Sequence, residues 1–296
     1  MHRATFDNFF SGSARRHLVR SIKDSLMEDG PDLTSNAVFA QDARLVASIV
    51  AKEDTLLAGL PLVSMVLEET AAAEPGEWTL SPFAEEGGKL RAGDCVAEIQ
   101  GSARVILRAE RVILNFICHL SGIANLTARY AAALEGTGVR LLDTRKTLPG
   151  LRYPEKYAVL IGGGCNHRKT LGELLMLKDN HIDAAGGITG AVGMLNKAYD
   201  GKVPIEVECR TLDEVREAVR AEVSRIMLDN MSREMMEQAL AEIPESIEVE
   251  ISGGVTLDGI AALAGVGGRR KADFISVGRL THSAPAADFS MRIRRE

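Results

Sequence analysis

Residues 203–230, VPIEVECRTLDEVREAVRAEVSRIMLDN, place two short β-type runs on either side of an amphipathic helical segment. The runs IEVEC and RIMLD are rich in β-branched and apolar residues, whereas LDEVREAVR has the apolar spacing of a helix. A strand, a helix and a second strand in this order predict parallel pairing through a right-handed crossover. This stretch therefore indicates an α/β fold.

Similar runs occur on both sides of this stretch: VRLLDTRK, ELLMLKDN, IEVEIS and ADFISVG. The later runs recur about every 21 to 24 residues, which is the length of one β/α unit. The region is shorter than the ~250 residues of a standard eight-unit barrel, so an open or incomplete barrel is favoured. A doubly wound sheet is the alternative, and it would place the same strand ends along one edge crevice.

The first third of the chain has a different pattern. ARRHLVRSIKDSLMEDG spaces Leu18, Ile22 and Leu26 four apart, which predicts an amphipathic helix that ends near Gly30. ARLVASIVAKED alternates like a half-buried strand, GLPLVSMVLEETAAA returns to helical spacing, and GDCVAEIQG is typical of a further strand. This region is predicted to be α+β with antiparallel strands.

Composition excludes several classes of function. The formal net charge of −6 argues against a nucleic-acid-binding protein, which normally carries a basic face. The sequence has no long apolar run and no signal-type apolar segment, so we expect no membrane association and a cytoplasmic location. The four cysteines lie far apart and form no CxxC pair, which disfavours a zinc or redox centre.

The predicted strand ends carry an unusual mixture of charges. In a β/α barrel the carboxyl ends of the strands form one rim, where chemistry is placed. A hydroxyl, three cations and two carboxylates would meet there: Thr144, Arg145, Lys146, Lys178, Glu208 and Asp229.

Two glycine-containing turns follow the last two strands, Ser252-Gly253-Gly254 and Ser276-Val277-Gly278. Barrels commonly bind phosphate at this position through exposed backbone N–H groups, and glycine lets the backbone approach closely. Each turn alone could be a plain connection, but the two together favour a phosphate site.

The carboxylates and the remaining cations suggest two further ligands. Glu208 and Asp229 could pair with neighbouring cations, or they could bind ribose hydroxyls or the Mg²⁺ that accompanies a polyphosphate. Two guanidiniums and an ammonium, those of Arg145, Arg168 and Lys178 near His167, suit a small dicarboxylate, because a guanidinium binds a carboxylate through two parallel hydrogen bonds.

At this point the motifs resemble a known family. DTRKTLPGLRYPEKYAV, GGGCNHR and LKDNHI are strongly similar to quinolinate phosphoribosyltransferases, and IEVEC, IMLDNM, EISGGVT and FISVG follow in the same order. The resemblance implies an α+β sandwich domain (residues 1–114 and 281–296) and an open, incomplete, seven-stranded β/α barrel (residues 115–280). It also implies a homodimer, or an oligomer built from dimers, with shared active sites.

The resemblance further implies the reaction and the residues that carry it. Quinolinate and phosphoribosyl pyrophosphate would give nicotinate mononucleotide, pyrophosphate and CO₂ in the de novo synthesis of NAD, with Mg²⁺. Lys146, Glu208 and Asp229 would be catalytic, the two carboxylates would hold Mg²⁺, and Arg111 would enter the partner's site. Quinolinate would be bound by Arg145, His167, Arg168 and Lys178 and the phosphoribosyl group by Thr144, Lys146, Glu208, Asp229 and the two glycine turns.

Three alternatives remain open on the sequence. Small departures at Tyr153-Pro154 and at residues 171–174 leave room for a sister group associated with molybdenum transport, acting on another aromatic acid. A Schiff-base lyase could use Lys146 or Lys178. A non-catalytic sugar-phosphate-binding protein would use the same rim without turnover.

Overall fold

The fold was analysed on a computed structural model, which describes residues 6–295. The chain forms two compact units. The first contains residues up to 128, residues 147–163 and the segment from residue 280 onward, and the second contains residues 129–146 and 164–279. No helix within residues 6–295 has both the length and the apolarity needed to cross a membrane.

The elements within residues 6–133 are five helices and five strands. In chain order they are α1 (Phe6–Phe9), α2 (Gly12–Asp29), α3 (Leu33–Val38), β1 (Arg44–Ala51), β2 (Thr55–Leu56), α4 (Leu60–Ala73), β3 (Trp78–Pro82), β4 (Lys89–Leu90), β5 (Cys95–Ser102) and α5 (Ala103–Ala133).

The remaining elements alternate between strands and helices. They are β6 (Arg140–Leu142), α6 (Arg152–Ile161), β7 (Leu175–Leu177), α7 (Asp179–Ala185), α8 (Ile188–Tyr199), β8 (Ile205–Cys209), α9 (Leu212–Arg220), β9 (Arg225–Asp229), α10 (Arg233–Glu242), β10 (Glu248–Ser252), α11 (Leu257–Ala264), β11 (Phe274–Ser276), α12 (Arg279–His282) and β12 (Phe289–Arg295).

The first unit is built around an antiparallel sheet of order β12-β1-β5-β3. The predicted helix α2 buries Leu18, Ile22 and Leu26, as its spacing indicates. Strand β1 differs from its prediction of one polar face, because Val46 and Val50 are buried along with the alternate positions. Since β1 lies between two strands and both of its faces are covered, alternation alone underestimates its burial.

Helix α5 runs without interruption through Ser121-Gly122. The chain packs closely there, since a Cβ on Gly122 would overlap the carbonyl oxygen of Pro285 and lie 2.9 Å from the Cα of Ala286. The domain boundary predicted at 114/115 falls inside this helix, and that division of the chain stays a prediction.

The second unit is a parallel sheet of order β6-β11-β10-β9-β8-β7. Strands β7 to β11 lie next to one another in chain order, and the first strand, β6, pairs with the last, β11. A doubly wound sheet reverses its order in the middle, so this closing pair excludes that alternative and favours a barrel.

Cys165 adds a parallel bridge to Leu142 at the other edge of β6, where a seventh strand would lie. The cysteine N–H donates to the carbonyl of Leu141 at 2.8 Å. The described residues of the second unit thus form six parallel strands and this bridge, with the remaining gap lying between the Cys165 segment and β7. The barrel is open at that point.

Candidate active site

A cavity of about 460 Å³ lies at the carboxyl ends of the parallel strands of the second unit. Nearly all of the predicted ligands of this unit line it. The predicted residues among its lining are Thr144, Arg145, Lys146, His167, Arg168, Lys178, Glu208, Asp229, Ser252, Gly253, Gly254 and Ser276.

The turn after β10 is shaped by a close approach of two backbone segments. Gly253 has a φ of +100° and Asn230, which follows β9, has a φ of +52°. The Asn230 N–H donates to the carbonyl of Ser252 at 3.0 Å. A Cβ on Gly253 would overlap Oδ1 of Asn230 and lie 2.9 Å from its backbone nitrogen. The turn therefore requires glycine for both its dihedral angle and its space.

The turn after β11 is only partly exposed to the cavity. Ser276 lines it, and its buried hydroxyl has no hydrogen-bond partner within the described part of the chain. The N–H of Val277 donates to the carbonyl of Leu142 at 2.9 Å, so the sheet already uses this donor. Neither Val277 nor Gly278 lines the cavity, and their predicted contact with phosphate stays a prediction.

Two guanidiniums form part of the cationic wall. The Nε of Arg145 is buried and has no hydrogen-bond partner among residues 6–295. Arg168 donates to the carbonyl of Leu174 at 2.9 Å and to the sulfur of Met176 at 3.5 Å. Burial and the nearby charge of Arg145 lower the pKa of the Arg168 guanidinium. Two like charges held together in this way favour an anionic ligand.

The lining of the cavity also includes the carboxylates of Glu208 and Asp229. Lys178 Nζ contacts Oε2 of Glu208 at the ends of adjacent strands. Asp229 accepts a hydrogen bond from the side-chain amide of Asn230 at 2.8 Å. The rim thus has one carboxylate already paired with a cation and one whose partner is a neutral amide.

The segment Asn166-His167-Arg168 is anchored from below by a buried aspartate. Asp143 is fully buried, and its two carboxylate oxygens accept the His167 N–H at 2.8 Å and the Asn166 side-chain amide at 2.7 Å. A carboxylate buried with such donors fixes this segment against β6.

A group of charges lies beneath this segment. Nε2 of His167 is 3.0 Å from Glu206 Oε2 and 3.4 Å from Glu250 Oε2, and both carboxylates are fully buried. Arg225 Nη1 lies 3.8 Å and 3.7 Å from the same two oxygens. We call His167, Glu206, Glu250 and Arg225 the buried quartet.

The quartet shifts the pKa values of two of its members, His167 and Glu206. Burial disfavours the imidazolium of His167, but the contacts with Glu206 and Glu250 outweigh it and raise the pKa to about 9. The N–H of Arg168, 2.7 Å from Nδ1, acts in the opposite direction because it needs an unprotonated acceptor. Burial and the charge of Glu250 raise the pKa of Glu206, although His167 opposes this.

Comparison with family models decides between the readings of this cavity. Residues 123–292 match the model described as the C-terminal domain of quinolinate phosphoribosyl transferase. Residues 32–121 match the N-terminal domain of the same enzyme. The chain belongs to the quinolinate phosphoribosyltransferase family. The fold class, the enzyme class, a decarboxylating pentosyltransferase, and the role in NAD biosynthesis that the motifs implied are thereby confirmed.

Individual relatives of the quinolinate phosphoribosyltransferase family agree over most of the chain. Quinolinate phosphoribosyltransferase [decarboxylating] 1b of Nicotiana tabacum is 38% identical, with 93% of this chain and 82% of the relative covered. A probable nicotinate-nucleotide pyrophosphorylase of Bacillus subtilis is 38% identical, with 88% of each covered. The crystal structure of NadC from Streptococcus pyogenes is 40% identical, covers 97% of this chain and 99% of that one, and has a TM-score of 0.87.

Several residues around this cavity of a quinolinate phosphoribosyltransferase were not predicted. Asp143, Glu206, Glu250 and Arg225 support the site from inside the barrel. Strand alternation could have found Glu206 and Glu250. They precede Glu208 and Ser252 by two positions and therefore share the faces of these residues. The partner of Asp143 lies in a loop, and no local pattern indicates it.

Arg111 belongs to the other unit. It lies on α5 and is exposed. Its predicted entry into the active site of a partner subunit stays a prediction.

Proposed function

We propose that the strand-end cavity carries out the transfer of the phosphoribosyl group of phosphoribosyl pyrophosphate to the ring nitrogen of quinolinate, followed by loss of CO₂. The observation that carries this proposal is the joining in one cavity of a cationic wall, two carboxylates and a glycine turn. A dicarboxylate and a sugar polyphosphate need these features at the same place.

The acceptor would lie against Arg145, Arg168 and Lys178. The buried Nε of Arg145 supports this, because a donor without a partner within the described chain is costly unless a ligand completes it. A bidentate contact stabilises whichever carboxylate it holds. We propose that the strongest such contacts hold the carboxylate that is retained, since clamping the departing one would stabilise a ground state that must be lost.

The phosphoribosyl pyrophosphate would lie against Ser252, Gly253, Gly254 and the hydroxyl of Ser276. The positive φ values of Gly253 and Gly254 fit a turn that presents backbone to a phosphate. Lys146 also lines the cavity, and its ammonium would stabilise the negative charge that develops on the leaving pyrophosphate.

Mg²⁺ is the metal that this substrate implies, and the donors present suit it. Glu208 and Asp229 offer hard oxygens, and Mg²⁺ is usually held by one or two carboxylates together with phosphate oxygens of the substrate. Because Lys178 already contacts Glu208, Asp229 is the less hindered ligand. When bound, Mg²⁺ would neutralise charge on the pyrophosphate.

The chain's own groups account for the two chemical steps. As the ring nitrogen attacks the anomeric carbon, positive charge develops on the ribose, and the carboxylates of Glu208 and Asp229 would stabilise it. Formation of the N–C bond leaves the ring nitrogen positive. This charge stabilises the electron pair that stays on the neighbouring ring carbon when its carboxylate departs as CO₂. A proton from solvent then replaces the lost group.

The assembly and the cellular location remain proposals. We propose a homodimer in which Arg111 of each subunit contributes to the neighbour's site. The cytoplasmic location predicted from the sequence stays open, because relatives include one named mitochondrial in Nicotiana tabacum and one named chloroplastic in Arabidopsis thaliana.

A substrate panel tests the proposed function. The purified protein is incubated with phosphoribosyl pyrophosphate, Mg²⁺ and either quinolinate, nicotinate or another aromatic acid, and nucleotide and pyrophosphate are measured. We expect nicotinate mononucleotide from quinolinate. Turnover of another aromatic acid but not of quinolinate would overturn the assignment of the acceptor, and binding without turnover would overturn the assignment as an enzyme.

A further inference from the structure

The buried quartet is unexpected beneath a cavity that is built for anions. Glu206 and Glu250 are fully buried, and Glu250 also lines the cavity. A buried carboxylate is costly unless charged or hydrogen-bonding groups compensate it. Here His167 and Arg225 both lie within 4 Å of each of the two carboxylates, close enough for their charges to compensate them.

Strand geometry explains why these residues meet. Glu206 is in register with Arg225 on the neighbouring strand, and Glu250 is in register with Phe274 on the next. The guanidinium of Arg225 also lies over the ring of Phe274, 4.3 Å from its centroid. Three members of the quartet, Glu206, Arg225 and Glu250, are therefore fixed by three adjacent strands, and they support His167.

A metal ion bound by His167, Glu206 and Glu250 would be unfavourable, although these residues have suitable ligand atoms. The ligand atoms of His167, Glu206 and Glu250 lie within 4.8 Å of one another. A divalent cation there would have to share both carboxylates with the guanidinium of Arg225, which lies 3.7 Å and 3.8 Å from their oxygens. Like charges so close together in a buried place are unfavourable.

Both ring nitrogens of His167 lie next to groups of the protein, Nε2 at ion-pair distance from two carboxylates and Nδ1 in a hydrogen bond. Nε2 faces Glu206 and Glu250, and Nδ1 accepts the N–H of Arg168 at 2.7 Å. The imidazole therefore joins the buried carboxylates to the backbone of the next residue. Since the Arg168 side chain lines the cavity, a shift of the imidazole would move a cation of the acceptor wall.

We propose that Glu206 and Glu250 are positioning residues that act through His167: they hold its ring, the ring holds the Arg168 N–H, and the Arg168 guanidinium is thereby aimed at the acceptor. In this arrangement His167 does not donate to the acceptor through Nε2. The proposal deepens the proposed function and rests on it, because the acceptor is taken to be quinolinate.

Steady-state kinetics of charge-removing variants tests this path. Glu250→Gln is expected to raise the KM for quinolinate about tenfold, or about 1.4 kcal/mol, while kcat and the KM for phosphoribosyl pyrophosphate change less than about threefold, because the variant removes one buried charge that faces the His167 ring. Glu237→Gln serves as the matched control. Glu237 is an exposed residue of α10, and within residues 6–295 its carboxylate pairs with Arg233 alone. We expect the control to behave as the wild type.

A double-variant cycle separates action through His167 from a general loss of packing. In a His167→Gln background, Glu250→Gln is expected to have less than about a twofold further effect on the KM for quinolinate, because contacting residues on one path are not additive. A full additional tenfold effect would overturn the proposal. So would an equal rise in both Michaelis constants.

A measurement on the unmodified protein covers the case in which these variants do not fold. In ¹⁵N-histidine-labelled protein, the Nε2 resonance of His167 is expected to report a bound proton in contact with carboxylate and to stay unchanged when quinolinate is added. A large change of the Nε2 resonance on binding would show a direct contact with the acceptor and would overturn the proposal. If the wild type binds quinolinate but makes no nucleotide, the proposed function fails while this inference stands.

Discussion

The ammonium of Lys178 contacts the carboxylate of Glu208 across the ends of the neighbouring strands β7 and β8. This pair sits on the cavity wall, and about two-fifths of the Lys178 side chain is exposed. An ion pair open to solvent contributes little to stability, so its position points to a role with ligands. Binding of an anion by Lys178 would loosen its hold on Glu208 and leave that carboxylate for the ribose or for Mg²⁺.

Replacing Lys178 by Ala should therefore affect ligands more than folding. We expect kcat/KM for quinolinate to fall by at least about 100-fold, the scale of a lost transition-state contact, while the melting temperature changes by less than about 3 °C, as for surface ion pairs. Lys202→Ala is a matched control, because its ammonium pairs with exposed Asp200 outside the cavity. Equal losses in the two variants would contradict a ligand role for Lys178.

Arg145→Ala should separate the two substrates. Because Arg145 is placed on the acceptor wall, we expect quinolinate binding measured by calorimetry to be lost, with binding of phosphoribosyl pyrophosphate reduced less than about threefold. Arg233→Ala, on the exposed surface of α10, controls for loss of a guanidinium. The assignment is wrong if Arg145→Ala weakens both substrates equally.

Gly253 tests the phosphate turn. Gly253→Ala introduces a Cβ at a φ of +100° that overlaps Asn230, and we expect the KM for phosphoribosyl pyrophosphate to rise and the free energy of unfolding to fall by about 1–3 kcal/mol. Gly172→Ala is the control, because a Cβ there meets nothing within 4 Å. An unchanged Michaelis constant in Gly253→Ala would remove the turn from the phosphate site.

The protonation of His167 in the buried quartet decides how stability depends on pH. Two contacts act on the protonation of His167 in opposite directions: Glu206 and Glu250 raise its pKa to about 9, whereas the Arg168 N–H donates to Nδ1 at 2.7 Å and needs that nitrogen unprotonated. The path through Arg168 requires this hydrogen bond, so we expect a neutral imidazole with its proton on Nε2. Denaturant unfolding should then show a free energy of unfolding that changes by less than about 1 kcal/mol between pH 6.5 and 9.

A charged His167 would instead stabilise the folded chain below about pH 6.5, and this stabilisation, about 3 kcal/mol, would be lost as the pH rises through about 9. Such a loss, seen in the wild type and in His17→Gln, an exposed histidine of α2, but not in His167→Gln, would contradict the path through Nδ1.

The sequence was most informative where chemistry follows strand periodicity. Glu208, Asp229, Ser252 and Ser276 could be placed on one rim because each is the last or next-to-last residue of a strand in a repeating β/α unit. The support beneath them was harder to predict. The contact between His167 and Glu250 joins residues far apart in the chain, and it depends on how the barrel closes. Strand alternation places Glu250 on the interior face, but it does not name the partner.

The central claim is that one cavity bonds the acceptor nitrogen to ribose and then releases the neighbouring carboxylate. It is tested most directly with quinolinate carrying ¹³C in the carboxyl group next to the ring nitrogen, incubated with the purified protein, phosphoribosyl pyrophosphate and Mg²⁺. We predict ¹³CO₂, pyrophosphate and nicotinate mononucleotide in equal amounts, and none of these three products from Arg145→Ala. Pyrophosphate without ¹³CO₂, or unchanged ¹³CO₂ release by Arg145→Ala, would contradict the account.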